Sequence, residues 1–170
     1  MSATPPDHEI RPLTREDAAA WRALRIEMLR DSPASFHADL EQARARSDED
    51  WVRAIPENGR DVTFGLFVGG ALVGSAGFYV QSPPKLAHKG MMWGVYVAPA
   101  HRRRGLAGAL VRRVIAHARS CVAVLQTGAS AAGASVYRRE GFVPYGFERD
   151  SVRVDGVSYD EEHLAIHFQP

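Results

Sequence analysis

The sequence predicts one α/β domain: a mixed sheet with a parallel pair of strands at its centre and helices on both faces. Three observations predict it. Apolar residues recur at helical spacing at Trp21, Leu24 and Met28 and again around Trp51, and the period changes to that of strands from Val62 to Val80. Two short apolar runs, residues 91–97 and 122–126, flank a single helical stretch, and a strand–helix–strand unit is a crossover that leaves its strands parallel. With 170 residues, 45% of them hydrophobic, the chain suffices for one full core and not for two.

Residues 8–13 carry Ile10 and Leu13 as the anchors of a first strand, and residues 1–7 precede them as a loose arm. Thr14 and Asp17 make a capping box with aspartate in place of Glu or Gln. Trp21, Leu24 and Met28 follow at helical spacing until Ser32-Pro33 stops the helix near Asp31. Residues 34–46 show only weak helical character. Lying between two helices, they suit a substrate-covering segment or a plain connection. Ser47 to Asp50 repeats the cap ahead of Trp51, Ala54 and Ile55, and this second helix ends before Pro56.

Residues 62–68 and 71–80 form a hairpin around Gly69-Gly70, because a primed two-residue turn demands positive φ. Gly74 and Gly77 inside its second strand signal a bulge or a close backbone approach. A Pro83-Pro84 loop leads to residues 91–97, apolar on both alternations and therefore covered on both faces. Leu106, Leu110, Val114 and Ala118 stripe the next helix. Residues 122–126 pair parallel with residues 91–97, and residues 130–140 are a helix closed by Gly141. Residues 142–148 and 158–168 are the last strands, split by the turn Val154-Asp155-Gly156.

Lys plus Arg (21) nearly cancel Asp plus Glu (20), so the net charge of +1 supports neither a general nucleic-acid role nor a membrane-surface role. Cys121 is the only cysteine, which excludes an intramolecular disulfide and a cysteine-based metal cluster and fits a reducing compartment. The start, MSATPPDHEIRPL, lacks the order of a secretory signal, and no apolar run has the length of a membrane span. The expectation is a soluble cytoplasmic protein without a metal.

The stretch MMWGVYVAPAHRRRGLAGAL, residues 91–110, organises the chain: a strand, a turn rich in arginine, and a helix start. Gly105, Ala107 and Gly108 leave the backbone N–H groups there unshielded, which makes an anion cradle in outline. The same residues also suit tight helix packing, with Arg102, Arg103 and Arg104 as solvated charge.

Two separated motifs carry a resemblance. Arg102-Arg103-Arg104-Gly105-Leu106-Ala107 fits Q/R-x-x-G-x-G/A, and ASVYRREGF, residues 134–142, is similar to the Y-x-x-x-G-F segment that follows it in the GNAT superfamily of acyl-CoA-dependent N-acyltransferases. The ending VDGVSYDEEHLAIHF also resembles the final strands of a bacterial branch of that family. The resemblance implies a GNAT-like, mostly antiparallel mixed sheet over residues 8–170, with acetyl-CoA as cosubstrate and no metal. It implies that Val95 and Val97 hydrogen-bond the pantetheine arm between splayed parallel strands. The amides of Arg103, Arg104, Gly105, Leu106, Ala107 and Gly108 would hold the pyrophosphate, with the side chains of Arg102, Arg103 and Arg104 screening it. Ser130 stands where the family commonly has a pantetheine-binding asparagine, and a hydroxyl still makes one such contact.

In the family a tyrosine at the position of Tyr137 often gives the leaving thiolate its proton, and a phenol is protonated at neutral pH. Read from the residues alone, Tyr137 also suits helix packing. The general base is absent from its usual strand, since no Asp or Glu occurs in residues 85–100. His88, His101, Asp160, Glu161, Glu162 and a water chain to solvent remain as candidates. Trp93, Tyr96, Phe78 and Tyr79 suit an acceptor pocket or ordinary core packing.

The resemblance thus implies acetyl transfer from acetyl-CoA to a primary amine, on a small molecule or a protein, by direct attack in a ternary complex. A non-catalytic acyl-CoA sensor is the alternative, motivated by the missing strand carboxylate. A nucleic-acid patch at Arg102, Arg103, Arg104, Arg112 and Arg113 is disfavoured by the charge balance. Dimers are common among relatives, which admits a homodimer.

Overall fold

The computed structural model describes residues 7–169. The arm expected over residues 1–7 lies outside them except for Asp7, which pairs with Arg104. Strand β1 (His8–Pro12) leads into helix α1 (Ala18–Asp31). The Thr14 N–H donates to the Asp17 carboxylate at 2.8 Å, so the aspartate completes the cap as the pattern predicts.

The undecided stretch after α1 is a short 3₁₀ turn (Pro33–Ser35), then helix α2 (Leu40–Ala45), capped by Asp39 accepting from the Gln42 N–H at 2.8 Å. Helix α3 (Asp48–Arg53) carries the second capping box. Strands β2 (Val62–Val68) and β3 (Ala71–Val80) make the hairpin, with φ of 56° and 81° at Gly69 and Gly70. Then come β4 (Lys89–Val97), α4 (Leu106–Ala118), β5 (Val124–Ala129), α5 (Ala134–Arg139), β6 (Val143–Val154) and β7 (Val157–His167).

Strand β4 starts at Lys89 instead of Met91, and β6 runs on past Glu148 to Val154 against β7; two further boundaries move for local reasons. Val122 donates its N–H to the Ala118 carbonyl at 2.9 Å, so it closes α4 and β5 starts at Val124. The Ser130 carbonyl accepts from Gly133 and Ala134, a turn that delays α5 to Ala134.

The seven strands form one sheet in the order β1-β2-β3-β4-β5-β7-β6, antiparallel except for β4 and β5. This is the α/β architecture predicted from the crossover. On one face, α4 buries Leu110, Val111 and Val114 against Phe64, Phe78, Met92 and Leu125. On the other, α1–α3 set Trp21, Leu24, Met28 and Trp51 against Phe67 and Tyr96, with Trp21 and Trp51 edge to face at 5.3 Å. The glycines of β3 serve close approach: a Cβ on Gly74 would stand 2.7 Å from the Tyr96 carbonyl, and one on Gly77 would stand 2.1 Å from the Trp93 ring.

Candidate functional site

Parallel strands β4 and β5 pair only at Lys89↔Val124, Gly90↔Leu125 and Met91↔Gln126, although β4 runs on to Val97 and β5 to Ala129. The cause lies in β4. Gly94 adopts φ 61°, and between the pairs Trp93↔Gly77 and Tyr96↔Ser75 strand β4 carries two residues, Gly94 and Val95, opposite one of β3, Ala76. Such a bulge bends its strand. Just before it, the Thr127 hydroxyl donates to the Met92 carbonyl at 3.1 Å. The backbone groups of β4 beyond that point face a gap where a strand would be.

The gap opens into a cleft of about 540 Å³. Of the residues singled out above, Val95, Val97, Arg102, Arg103, Gly105, Leu106, Ala107, Gly108, Ser130 and Tyr137 line it. Arg104 does not; its guanidinium turns to Asp7 and to His101 Nδ1, 3.3 Å away. At the helix end of the cleft, Arg103 (φ 62°) and Gly105 (φ 74°) take left-handed backbone before α4. No side chain caps that helix, and nothing lies within 4 Å of where a Cβ on Gly105 would stand. Uncapped N–H groups at a helix start are donors ready for an anion.

The three arginines have different duties. Arg102 donates Nε–H to the Val97 carbonyl at 2.9 Å, so one lone pair of that carbonyl is taken, and it pairs with Asp31. Its guanidinium holds the Asp31 carboxyl below the usual range. Arg103 lines the cleft without an ion-pair partner among the described residues.

Tyr137 is buried at 8% exposure, its ring edge to face with Phe142 at 5.7 Å. Burial pushes its phenol up to about 12, with the Glu161 charge adding to the rise and the Thr127 hydroxyl opposing it. The motif therefore places on the cleft wall a hydroxyl that keeps its proton.

A segment that residue spacing left undecided crosses the cleft. Ser35 Oγ lies 3.1 Å from Ser130 Oγ, Phe36 packs edge to face on Tyr96, and His37 Nε2 lies 2.8 Å from Glu161 Oε2. Ser35 and Phe36 line the cleft, so this stretch is part of its wall. Ser32-Pro33 was the only local signal.

The histidine and carboxylate candidates separate clearly. His88 precedes β4 at the end remote from the cleft, its carbonyl taken by the Ala123 and Val124 N–H groups. His101 lines the cleft beside Arg104. Glu162 is paired with Arg138 at 2.6 Å, and Asp160 accepts the Asp150 N–H at 2.9 Å. Glu161 alone of these carboxylates lies against Gly128, a cleft residue. Of the aromatics, Tyr96 lines the cleft, Phe78 is core, Trp93 covers Gly77 and Tyr79 is exposed. Among the described residues no group of three His, Cys, Asp or Glu could hold a metal ion. No helix of theirs is long and apolar enough to cross a membrane.

The sequence model of the acetyltransferase (GNAT) family matches residues 21–142, which include both motifs up to Phe142. No curated protein matches the chain. Among solved structures, the acetyltransferase of GNAT family from Streptococcus pneumoniae superposes with a TM-score of 0.83 at 18% identity, over 95% of this chain and 99% of that one. A putative acetyltransferase from Salmonella typhimurium, solved with its cofactor acetyl-CoA, gives 0.81 at 21% identity, over 96% and 95%. The ribosomal-protein-alanine N-acetyltransferase from Brucella melitensis gives 0.78 at 24%, over 94% and 99%. At these identities the agreement is one of fold, extending over nearly the whole of each chain.

Proposed function

The chain belongs to the acetyltransferase (GNAT) family, and on that premise we propose that it moves the acetyl group of acetyl-CoA to a primary amine, by direct attack in a ternary complex. The observation that carries the reading is the cleft itself, with an uncapped helix start at one end, an unpaired strand edge along it and a protonated phenol on its wall. Each element suits one part of an acyl-CoA: pyrophosphate, pantetheine amides and thioester sulfur.

The N–H groups of Gly105, Leu106, Ala107 and Gly108, with Arg103, hold the pyrophosphate. The helix start contributes about 0.3–1 kcal/mol towards a negative group, more where it is partly buried. The β4 backbone at Val95 and Val97 lies along the pantetheine like an added strand, and Ser130 adds a hydroxyl contact. Tyr137 presents its hydroxyl to the sulfur. A phenol pushed up to about 12 by burial is a weaker acid than an ordinary thiol, so it does not surrender its proton outright to a thiolate. Tyr137 therefore passes its proton to sulfur only as it takes one from the attacking nitrogen.

The acceptor, a small molecule or a protein, reaches the thioester from the side of the segment through Phe36 and His37. Incubating the protein with acetyl-CoA and a panel of amines and following free thiol tests the reading. Amine-dependent thiol release with stoichiometric CoA binding by calorimetry is expected, and failure to bind CoA overturns it.

A further inference from the structure

The most sharply organised polar group beside the cleft is one that neither motif contains. Glu161 on β7 has a side chain only 13% exposed. Its Oε2 accepts two hydrogen bonds, from Ser151 Oγ at 2.9 Å and from His37 Nε2 at 2.8 Å. Its Oε1 takes no hydrogen bond from the described residues and lies over Gly128, 1.7 Å from where a Cβ would stand, so only glycine admits this carboxylate. Gly128 in turn lines the cleft, and the Glu161 charge is felt at the Tyr137 phenol on the same wall.

A carboxylate pinned at one oxygen and free at the other is a directed proton acceptor. Its tethers are an imidazole and a hydroxyl, whereas Glu162, Glu140 and Asp31 are each paired with an arginine. Glu148, opposite Glu161 in register on β6, is turned to His163 at 3.1 Å and does not compete for the space. His37 is 68% exposed and opens the site to water.

We propose that Glu161 is the group that receives the acceptor's ammonium and removes its proton, with His37 and Ser151 holding the carboxylate for that task. The proposal rests on the amine-acetylation reading above. The ammonium docks on Oε1 and gives up one proton, which passes to water at the open edge. The freed nitrogen lone pair then attacks the thioester carbonyl carbon. The C–N bond forms, the C–S bond breaks with its electron pair going to sulfur, and the nitrogen's second surplus proton reaches sulfur through Tyr137. An ammonium and a thioester thus become an amide, a thiol and one released proton.

The test compares wild type and Glu161→Gln on n-butylamine, which is an ammonium at pH 7, and on hydroxylamine, which is already neutral there. Glutamine keeps the shape, and unchanged CoA affinity by calorimetry verifies the fold. The expected result is a loss of about 100-fold in kcat/KM on n-butylamine at pH 7. That loss shrinks as pH rises, because the variant's rate climbs about tenfold per unit with the neutral amine fraction, while hydroxylamine is affected by less than about 3-fold. His37→Gln gives a smaller loss of the same pattern. A Glu161→Gln variant depressed equally on both probes at every pH, or not depressed at all, overturns the assignment while leaving amine acetylation intact. A wild type that binds CoA but releases no thiol with these probes or with any amine of the panel overturns the acetylation reading and this proposal with it.

Discussion

Replacing Tyr137 by phenylalanine removes one hydroxyl and nothing else from the cleft wall. The ring is 8% exposed and keeps its edge-to-face contact with Phe142 at 5.7 Å. Thr127, its polar neighbour, retains the Met92 carbonyl at 3.1 Å, so no buried donor is orphaned. The stability cost should stay within about 1 kcal/mol and CoA affinity within about 2-fold. Turnover is another matter. If the hydroxyl carries a proton between nitrogen and sulfur in the transition state, its loss should lower kcat about 10²–10⁴-fold, or about 2.7–5.5 kcal/mol.

The pH dependence sharpens this expectation. With the phenol pushed up to about 12, Tyr137 stays protonated throughout pH 6–9, so the ratio of wild-type to Tyr137→Phe turnover should be flat across that range. The assay is single-turnover thiol release at saturating acetyl-CoA. A ratio below about 3, or one that falls steeply with pH, would refute the shuttle. The same group has a stability signature. Its folded value exceeds the unfolded one, so its contribution is whole below about pH 10 and is lost as pH climbs towards 12. The fall is about 3 kcal/mol in all, and Tyr137→Phe should remove that part of the alkaline limb.

Asp17 is held down to about 2, first by its hydrogen bond from Arg11 and further by Thr14. Its stabilisation is therefore present above about pH 4 and lost as pH falls through about 2; Asp17→Asn should cost about 1–2 kcal/mol at pH 7, with Arg11 part-exposed, and flatten the acid limb in denaturant melts. Gly77→Ala puts a methyl 2.1 Å from the Trp93 ring and should destabilise by about 1–3 kcal/mol in the same melts. Arg103→Ala should weaken CoA binding about 2–5-fold at low salt and less at high salt, whereas Arg104→Ala, already turned to Asp7, should leave it within about 2-fold.

Much of the fold was legible because its signals are local. Gly69-Gly70 dictates a primed turn, Thr14 and Ser47 cap helices through an aspartate three residues on, and Leu106, Leu110, Val114 and Ala118 stripe one face of α4. The crossover then makes β4 and β5 parallel with no further information. The end of that pairing was less legible. Gly94 sits inside a run that reads as plain strand, and a glycine there is itself a bulge signal. Only the register of β4 against β3 reveals that the extra residue is on β4 and that the strand edge beyond it is freed.

The carboxylate illustrates the other limit. Three acidic residues in a row, Asp160, Glu161 and Glu162, look alike in sequence, and alternation along β7 gives them to opposite faces. Glu162 goes to the face where Arg138 of α5 awaits it; Glu161 goes to the face crossed by His37. Which face meets the cleft depends on pairing Gly128 with His163, across a sequence separation that no local pattern encodes. Glycine at 128 and glutamate at 161 are then a single feature, because a side chain at 128 would occupy the space of Oε1. Gly128→Ala should therefore displace the carboxylate and reproduce the pH-dependent part of the Glu161→Gln defect while both tethers remain in the chain. A Gly128→Ala protein with the wild-type pH profile would show that Glu161 has no position to keep.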